Sequence, residues 1–224
     1  LRKLHETGKP VVLVLTSGSA VSIPWAAAHL PAIVAAWYPG EQGGRAVADV
    51  LFGDYSPAGR LPVTVPKSLD QLPPFDDYNM AGRTYRFMAA EPLFRFGFGL
   101  SYTTFEYSNL QLGKTRAAAD EPVTVTVDVT NTGRRAGDEV VQLYVRDVEA
   151  SVPVPRLHLE GFRRIHLAAG ETATVAFTLA PAQLACYDDD GRAFVEPGAF
   201  RISVGGGQPD DPLSAALTVE LTVK

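Results

Sequence analysis

Between Pro122 and Lys224 the chain alternates apolar and polar residues with few breaks. The runs PVTVTVDVTNTG, DEVVQLYVRD, ETATVAFTLAP, GAFRISVGG and ALTVELTV share a period of two, that of a pleated strand with one face buried and the other in water. In the first run Val123, Val125, Val127 and Val129 point one way, while Thr124, Thr126 and Asp128 point the other. This pattern describes half-buried antiparallel strands.

About seven such runs, punctuated by Asn131-Thr132-Gly133 and by Gly/Pro clusters, predict an all-β sandwich of immunoglobulin or fibronectin III architecture over residues 106–224. The first part of the chain follows a different grammar. PVVLVLTSG is a continuous β-branched run of the kind expected for a strand buried on both faces, and Pro24 suits the first turn of a following helix. AIVAAWYPG repeats the strand type. Ala46, Val47, Val50 and Leu51 then fall at helical spacing, with Gly53 placed to end the helix. Residues 1–66 thus read as an α/β fragment, a partial parallel sheet with helices. An isolated parallel strand pair is marginal in water, so the rest of this sheet is expected N-terminal to Leu1 or from another chain. Leu1 and Leu4 read as the last turns of a helix ended by Gly8 and Pro10. Residues 67–105 hold Phe75, Tyr78, Tyr85, Phe87, Phe94, Phe96, Phe98 and Tyr102, too much apolar surface to leave in water. They are expected to form a connector packed against both neighbours.

Several chemistries are disfavoured. The formal net charge is −5 and no run of Lys or Arg occurs, which argues against nucleic acid or an anionic membrane surface as partner. No apolar stretch approaches the ~20 residues needed to span a bilayer. The single cysteine, Cys186, cannot form an intrachain disulfide and reads as a small core residue. His5, His29, His158 and His166 lack metal-ligand spacing, so neither a metal nor another cofactor is expected. Gly40-Glu41-Gln42-Gly43-Gly44 matches neither the Walker loop nor the dinucleotide fingerprint, and Glu41 would repel a phosphate. TSGSA at Thr16–Ala20 has the wrong order for a nucleophile elbow.

Three motifs in fixed order carry a resemblance. WYPGEQGGRAVADVLFGDYSPAGRLPVTVP, then GRTYRF, then PLFRFGFGLSYTTF, followed by a β-sandwich, resemble the C-terminal portion of glycoside hydrolase family 3, the β-glucosidases and β-xylosidases. The resemblance implies that residues 1–66 are the end of an α/β sandwich domain and residues 106–224 a fibronectin type III-like domain. It implies further that an N-terminal barrel with an Asp nucleophile, and the part of the sandwich domain with the acid/base Glu, lie outside this sequence. No catalytic residue is therefore assigned. Many members carry Glu in the PGxEGG pattern, whereas this chain has Gln42, preceded by Glu41.

Retaining glycoside hydrolysis needs two carboxyl groups about 5–5.5 Å apart. Glu41, Asp49, Asp54, Asp76, Asp77 and Asp188–Asp190 are available, but helix-surface, turn and hairpin roles account for most of them. The stretch FDDYNMAGRTYRF is the best candidate for binding sugar: Asp77, Arg83, Tyr85 and Arg86 offer charged hydrogen bonds and an aromatic ring within one loop. A domain-interface plug is the competing reading. The GRTYR wording leans toward β-xylosidases. The implied function is part of a retaining exo-β-glycosidase removing terminal β-D-xylosyl or β-D-glucosyl units, inactive by itself, whose partner is a β-linked oligosaccharide or glycoside. The alternative is a non-catalytic scaffold or carbohydrate-binding module. Tyr144, Phe162, Phe177, Tyr187, Phe194 and Phe200 are spread over separate elements and are expected in the core rather than in a binding row. The resemblance is compatible with a homodimer and with a secreted, periplasmic or cytoplasmic enzyme.

Overall fold

The computed structural model describes all 224 residues. The N-terminal unit runs α1 (Arg2–His5), β1 (Val12–Leu15), α2 (Pro24–His29), β2 (Ala32–Ala35) and α3 (Gly43–Phe52). β1 and β2 pair in parallel, Val12 with Ala32 through to Leu15 with Ala35. Pro24 opens α2, where a missing N–H costs nothing because the first-turn donors have no intrahelical acceptor. α3 ends at Gly53 in the left-handed region, φ +85°, which a side chain would strain. Gly43 has a different role. A Cβ there would lie 2.5 Å from the Pro39 ring, so this glycine lets the turn close onto the start of the helix.

The expectation of a strand buried on both faces does not hold for β1. Val12 is 45% exposed and the other three residues are half-buried. Two strands and the short helices of this chain are too narrow to enclose each other, and the wholly apolar composition of β1 fits a wider sheet than the two strands present.

The second unit comprises β3 (Phe105–Leu112), β4 (Arg116–Ala117), β5 (Val123–Asn131), β6 (Gly137–Asp147), β7 (His158–Leu167), β8 (Thr172–Leu179), β9 (Cys186–Tyr187), β10 (Ala193–Phe194), β11 (Gly198–Gly205) and β12 (Leu217–Val223). One sheet has the order β3-β5-β8 and the other β4-β12-β11-β6-β7, with β9 and β10 as a separate hairpin. The four valines of β5 are fully buried and face Val141, Leu143, Val145, Phe200, Ile202 and Leu221 of the opposite sheet within one core. Of the sandwich aromatics, Phe177 and Phe200 are buried in the core as expected; Tyr144 is buried instead on the outer face against Tyr85, Phe194 is half-buried, and Phe162 and Tyr187 are exposed at 68% and 62%. Phe162 sits on β7, the edge of its sheet, and no element of this chain packs over its ring.

The segment between the units contains α4 (Thr84–Phe87) and a bridge between Val65 and Phe94. It lies on the outer face of the larger sheet. Tyr85 stacks on Phe96 at 4.2 Å between ring centres and meets Tyr144 edge-on at 6.2 Å. Phe75 and Tyr78 depart from the expected packing, being 98% and 90% exposed; they occupy the outward tip of the loop. Gly97 and Gly99 let the segment settle onto its neighbours. A Cβ on Gly97, whose φ is +81°, would lie 2.3 Å from Gln142 Oε1, and one on Gly99 would lie 2.2 Å from the Gly59 carbonyl oxygen.

A buried polar network fixes this docking. Arg60 Nη2 donates to Glu139 Oε1 at 2.8 Å, with the two side chains 9% and 4% exposed. Arg60 also donates to the carbonyls of Ala58 and Gly206. Gln142 Nε2 donates to the Gly97 and Gly206 carbonyls, and its Oε1 accepts from the Tyr144 hydroxyl at 2.7 Å. Buried polar groups are tolerated when their partners are complete, and here those partners come from both sides of the contact.

Candidate functional site

The four sugar-binding candidates are close in sequence but do different things in space. Arg83 folds its own loop: its guanidinium donates to the carbonyls of Asn79 at 3.0 Å, Pro74 at 3.1 Å and Asp77. Asp77 accepts from the backbone and side-chain N–H groups of Asn79, at 2.9 and 2.8 Å. The Asn79 hydrogen bonds, with the backbone one the larger, hold the Asp77 carboxyl below its ordinary pKa. Both residues are thus committed to loop shape. Tyr85 lies on the sandwich, its hydroxyl accepting from the Leu159 N–H at 3.0 Å. Arg86 is exposed, and its carbonyl accepts from the Arg156 N–H at 2.8 Å.

Replacing Arg83 with alanine removes three ties that close the loop while uncovering little apolar surface. The expected outcome is a new site of limited proteolysis between Pro74 and Arg83 with an unchanged global unfolding midpoint, because local opening and global unfolding are separate transitions. A cleavage pattern identical to wild type would disprove the stapling role.

Most carboxylates that the sequence offers for chemistry have local structural partners. Asp49 lies 3.9 Å from Arg45 one turn earlier on α3. Asp188 accepts from the Arg192 N–H, and Asp190 pairs with Arg192 at 3.1 Å, around the β9–β10 turn where Gly191 has φ +75°. Glu41, Asp54 and Asp76 are exposed. A carboxylate the sequence did not single out, Asp147 at the end of β6, has its pKa raised by burial and, less strongly, by Glu196. It accepts from the Glu149 N–H, and Glu196 accepts from the Ser151 N–H at 2.8 Å. These are turn contacts within the sandwich.

A cleft of about 480 Å³ lies between the 88–95 turn and the outer face of the larger sheet. Tyr85 lines it, while Asp77, Arg83 and Arg86 do not. Its other polar walls include Arg95, Arg146, Arg156, Arg201 and Gln208, none of which stood out in the sequence because they come from five separate segments. No group of three or more His, Cys, Asp or Glu side chains is placed to hold a metal.

Residues 1–102 match the glycosyl hydrolase family 3 C-terminal domain, and residues 139–208 match the fibronectin type III-like domain. A β-xylosidase of Formosa agariphila is 47% identical over 99% of the chain, and a periplasmic β-glucosidase of Salmonella typhimurium is 40% identical over 90%. The chain spans only 31% and 28% of those two relatives. Among solved structures, a β-glucosidase of Erythrobacter marinus superimposes with a TM-score of 0.87 at 40% identity, covering 100% of this chain and 29% of that one.

Proposed function

The chain belongs to glycoside hydrolase family 3, and from that membership we propose that it is the C-terminal portion of a retaining exo-β-glycosidase. The whole enzyme removes terminal, non-reducing β-D-xylosyl or β-D-glucosyl residues. The observation that carries this reading is the 47% identity to a β-xylosidase along 99% of the chain. On this reading the nucleophile and the acid/base lie in the remaining polypeptide, in keeping with the structural roles of Asp49, Asp77, Asp188 and Asp190 in helix surface, loop closure and a hairpin turn. Residues 1–66 complete an α/β sandwich domain, residues 67–105 tie it to its neighbour, and residues 106–224 act as a rigid support.

Within this reading Asp77 and Arg83 are positioning residues, Tyr85 anchors the loop on the sandwich, and Arg86, exposed near Glu160, is the candidate left to meet a sugar. Phe75 and Tyr78, exposed on the loop they hold, supply faces on which a pyranose ring can stack. The binding-module alternative is weaker: Phe162 and Tyr187, the exposed sandwich aromatics, sit on different sheets and form no row.

The test compares the full-length polypeptide with this chain alone on aryl β-xylosides and aryl β-glucosides. Full-length protein is expected to turn over at least one of them, with retention of configuration by NMR, while the isolated chain releases no product above buffer. Turnover by the isolated chain would show that both carboxylates belong to it after all.

A further inference from the structure

We infer that the cleft between the 88–95 turn and the outer face of the larger sheet binds a saccharide bearing an oxyanion, either a uronic acid carboxylate or a sulfate ester. The carbohydrate half rests on the glycosidase reading above; the oxyanion half rests on the arginines alone.

Arg146 of β6 and Arg201 of β11 stand directly opposite each other in the sheet register. Like charges at that spacing repel. Arg201 has a carboxylate only on its other side, Glu220 of β12, at 3.8 Å. Arg146 forms no ion pair. Two further arginines complete the wall. Arg156 is held by donation from Nη1 to the Met88 carbonyl at 2.7 Å, and Arg95 is paired with Glu91 at 2.5 Å. Four arginines therefore face a cleft whose acidic lining is Glu91 and Asp210, in a chain whose net charge is −5. The local sign is opposite to that of the whole molecule.

The remaining lining suits a sugar. The hydroxyls of Ser203 and Thr218, 2.8 Å apart, lie along the floor beside the arginines. The volume falls in the range of small-molecule sites, about 300–1,000 Å³. A guanidinium donates two parallel hydrogen bonds to a carboxylate or sulfate, so an anion between Arg146 and Arg201 would satisfy both and remove their repulsion.

The experiment is isothermal titration of the full-length polypeptide with four probes: a glucuronic acid-bearing xylo-oligosaccharide, its neutral counterpart, an O-sulfated analogue and inorganic sulfate. At least one acidic saccharide is expected to bind about tenfold or more tightly than the neutral one, and its affinity is expected to fall as salt is raised. Which of the two binds identifies the oxyanion. The Arg146→Met/Arg201→Met variant keeps the apolar stems over the sheet and is expected to weaken that binding about tenfold or more. Its unfolding midpoint and its turnover of an aryl β-xyloside should stay at wild-type values. Equal affinity for the neutral sugar, sulfate binding as tight as either saccharide, or an unchanged variant would each overturn the inference. Absence of aryl-glycoside turnover would instead count against the glycosidase reading, independently of the titration.

Discussion

Glu139→Ala is expected to destabilise the protein by about 3–5 kcal/mol, among the largest effects a single substitution can have in this chain. The carboxylate accepts from Arg60 at 2.8 Å and from the Val140 N–H at 3.0 Å. Removing it leaves the guanidinium enclosed with only the carbonyls of Ala58, Gly59 and Gly206 for company. Carbonyl dipoles do not replace a full negative charge. The Arg60→Met/Glu139→Leu double substitution should recover much of the loss, since apolar replacement of a buried pair is often neutral or stabilising. Because the pair joins the N-terminal unit to the sandwich, the single variant is also expected to melt in two steps rather than one. Urea unfolding followed by fluorescence and by circular dichroism checks both points. A loss below about 1 kcal/mol would mean that the pair is solvated in solution.

Asn131→Asp is the second large effect, and its pH dependence gives it a distinctive signature. Asn131 is fully buried. Its Nδ2 donates to the Arg135 and Leu167 carbonyls at 2.8 and 3.0 Å, and its Oδ1 accepts from the Thr103 hydroxyl at 2.6 Å and the Gly133 N–H at 3.0 Å. All the side chain's hydrogen-bonding positions with a nearby backbone or hydroxyl partner are used. Aspartate keeps the shape but turns an oxygen toward two carbonyl oxygens, with an expected cost of about 2–5 kcal/mol at pH 7. Burial and those carbonyls raise the folded-state pKa above the unfolded value of about 3.9. The folded variant then binds its proton more tightly than the unfolded chain does. Its stability relative to wild type is best below the unfolded pKa and falls as pH rises through the raised folded pKa. The deficit measured by urea unfolding should be smaller at pH 4 than at pH 7; equal deficits would show that the new carboxylate reaches water.

The candidate site was only partly legible in the sequence, for a geometric reason. Arg83 and Asp77 are six residues apart and the ligand-like wording of their loop is visible, but their contacts go to carbonyls of that same loop. Backbone acceptors carry no sequence signature, so a stapling arginine and a sugar-binding arginine read alike. The arginine cleft was invisible for the opposite reason. Arg146 and Arg201 are 55 positions apart in the numbering and meet only because β6 and β11 pair in one register, which no local pattern specifies.

The fold divides along the same line. Period two in VTVTVDV was enough to assign the buried face of β5, because every side chain on that face meets the opposite sheet and every one on the other meets water or a neighbouring threonine. Gly53 announced its turn, since positive φ is a local requirement that glycine meets without strain. β6 went beyond its pattern. In DEVVQLYVRD the residues Gln142 and Tyr144 fall on the face that alternation assigns to solvent, yet they are 2% and 0% exposed. The connector covers them, and Gly97 admits it. Alternation reports which face a strand turns to its own core; whether another segment later closes over the second face depends on contacts between residues far apart in the chain, and these only the tertiary structure decided.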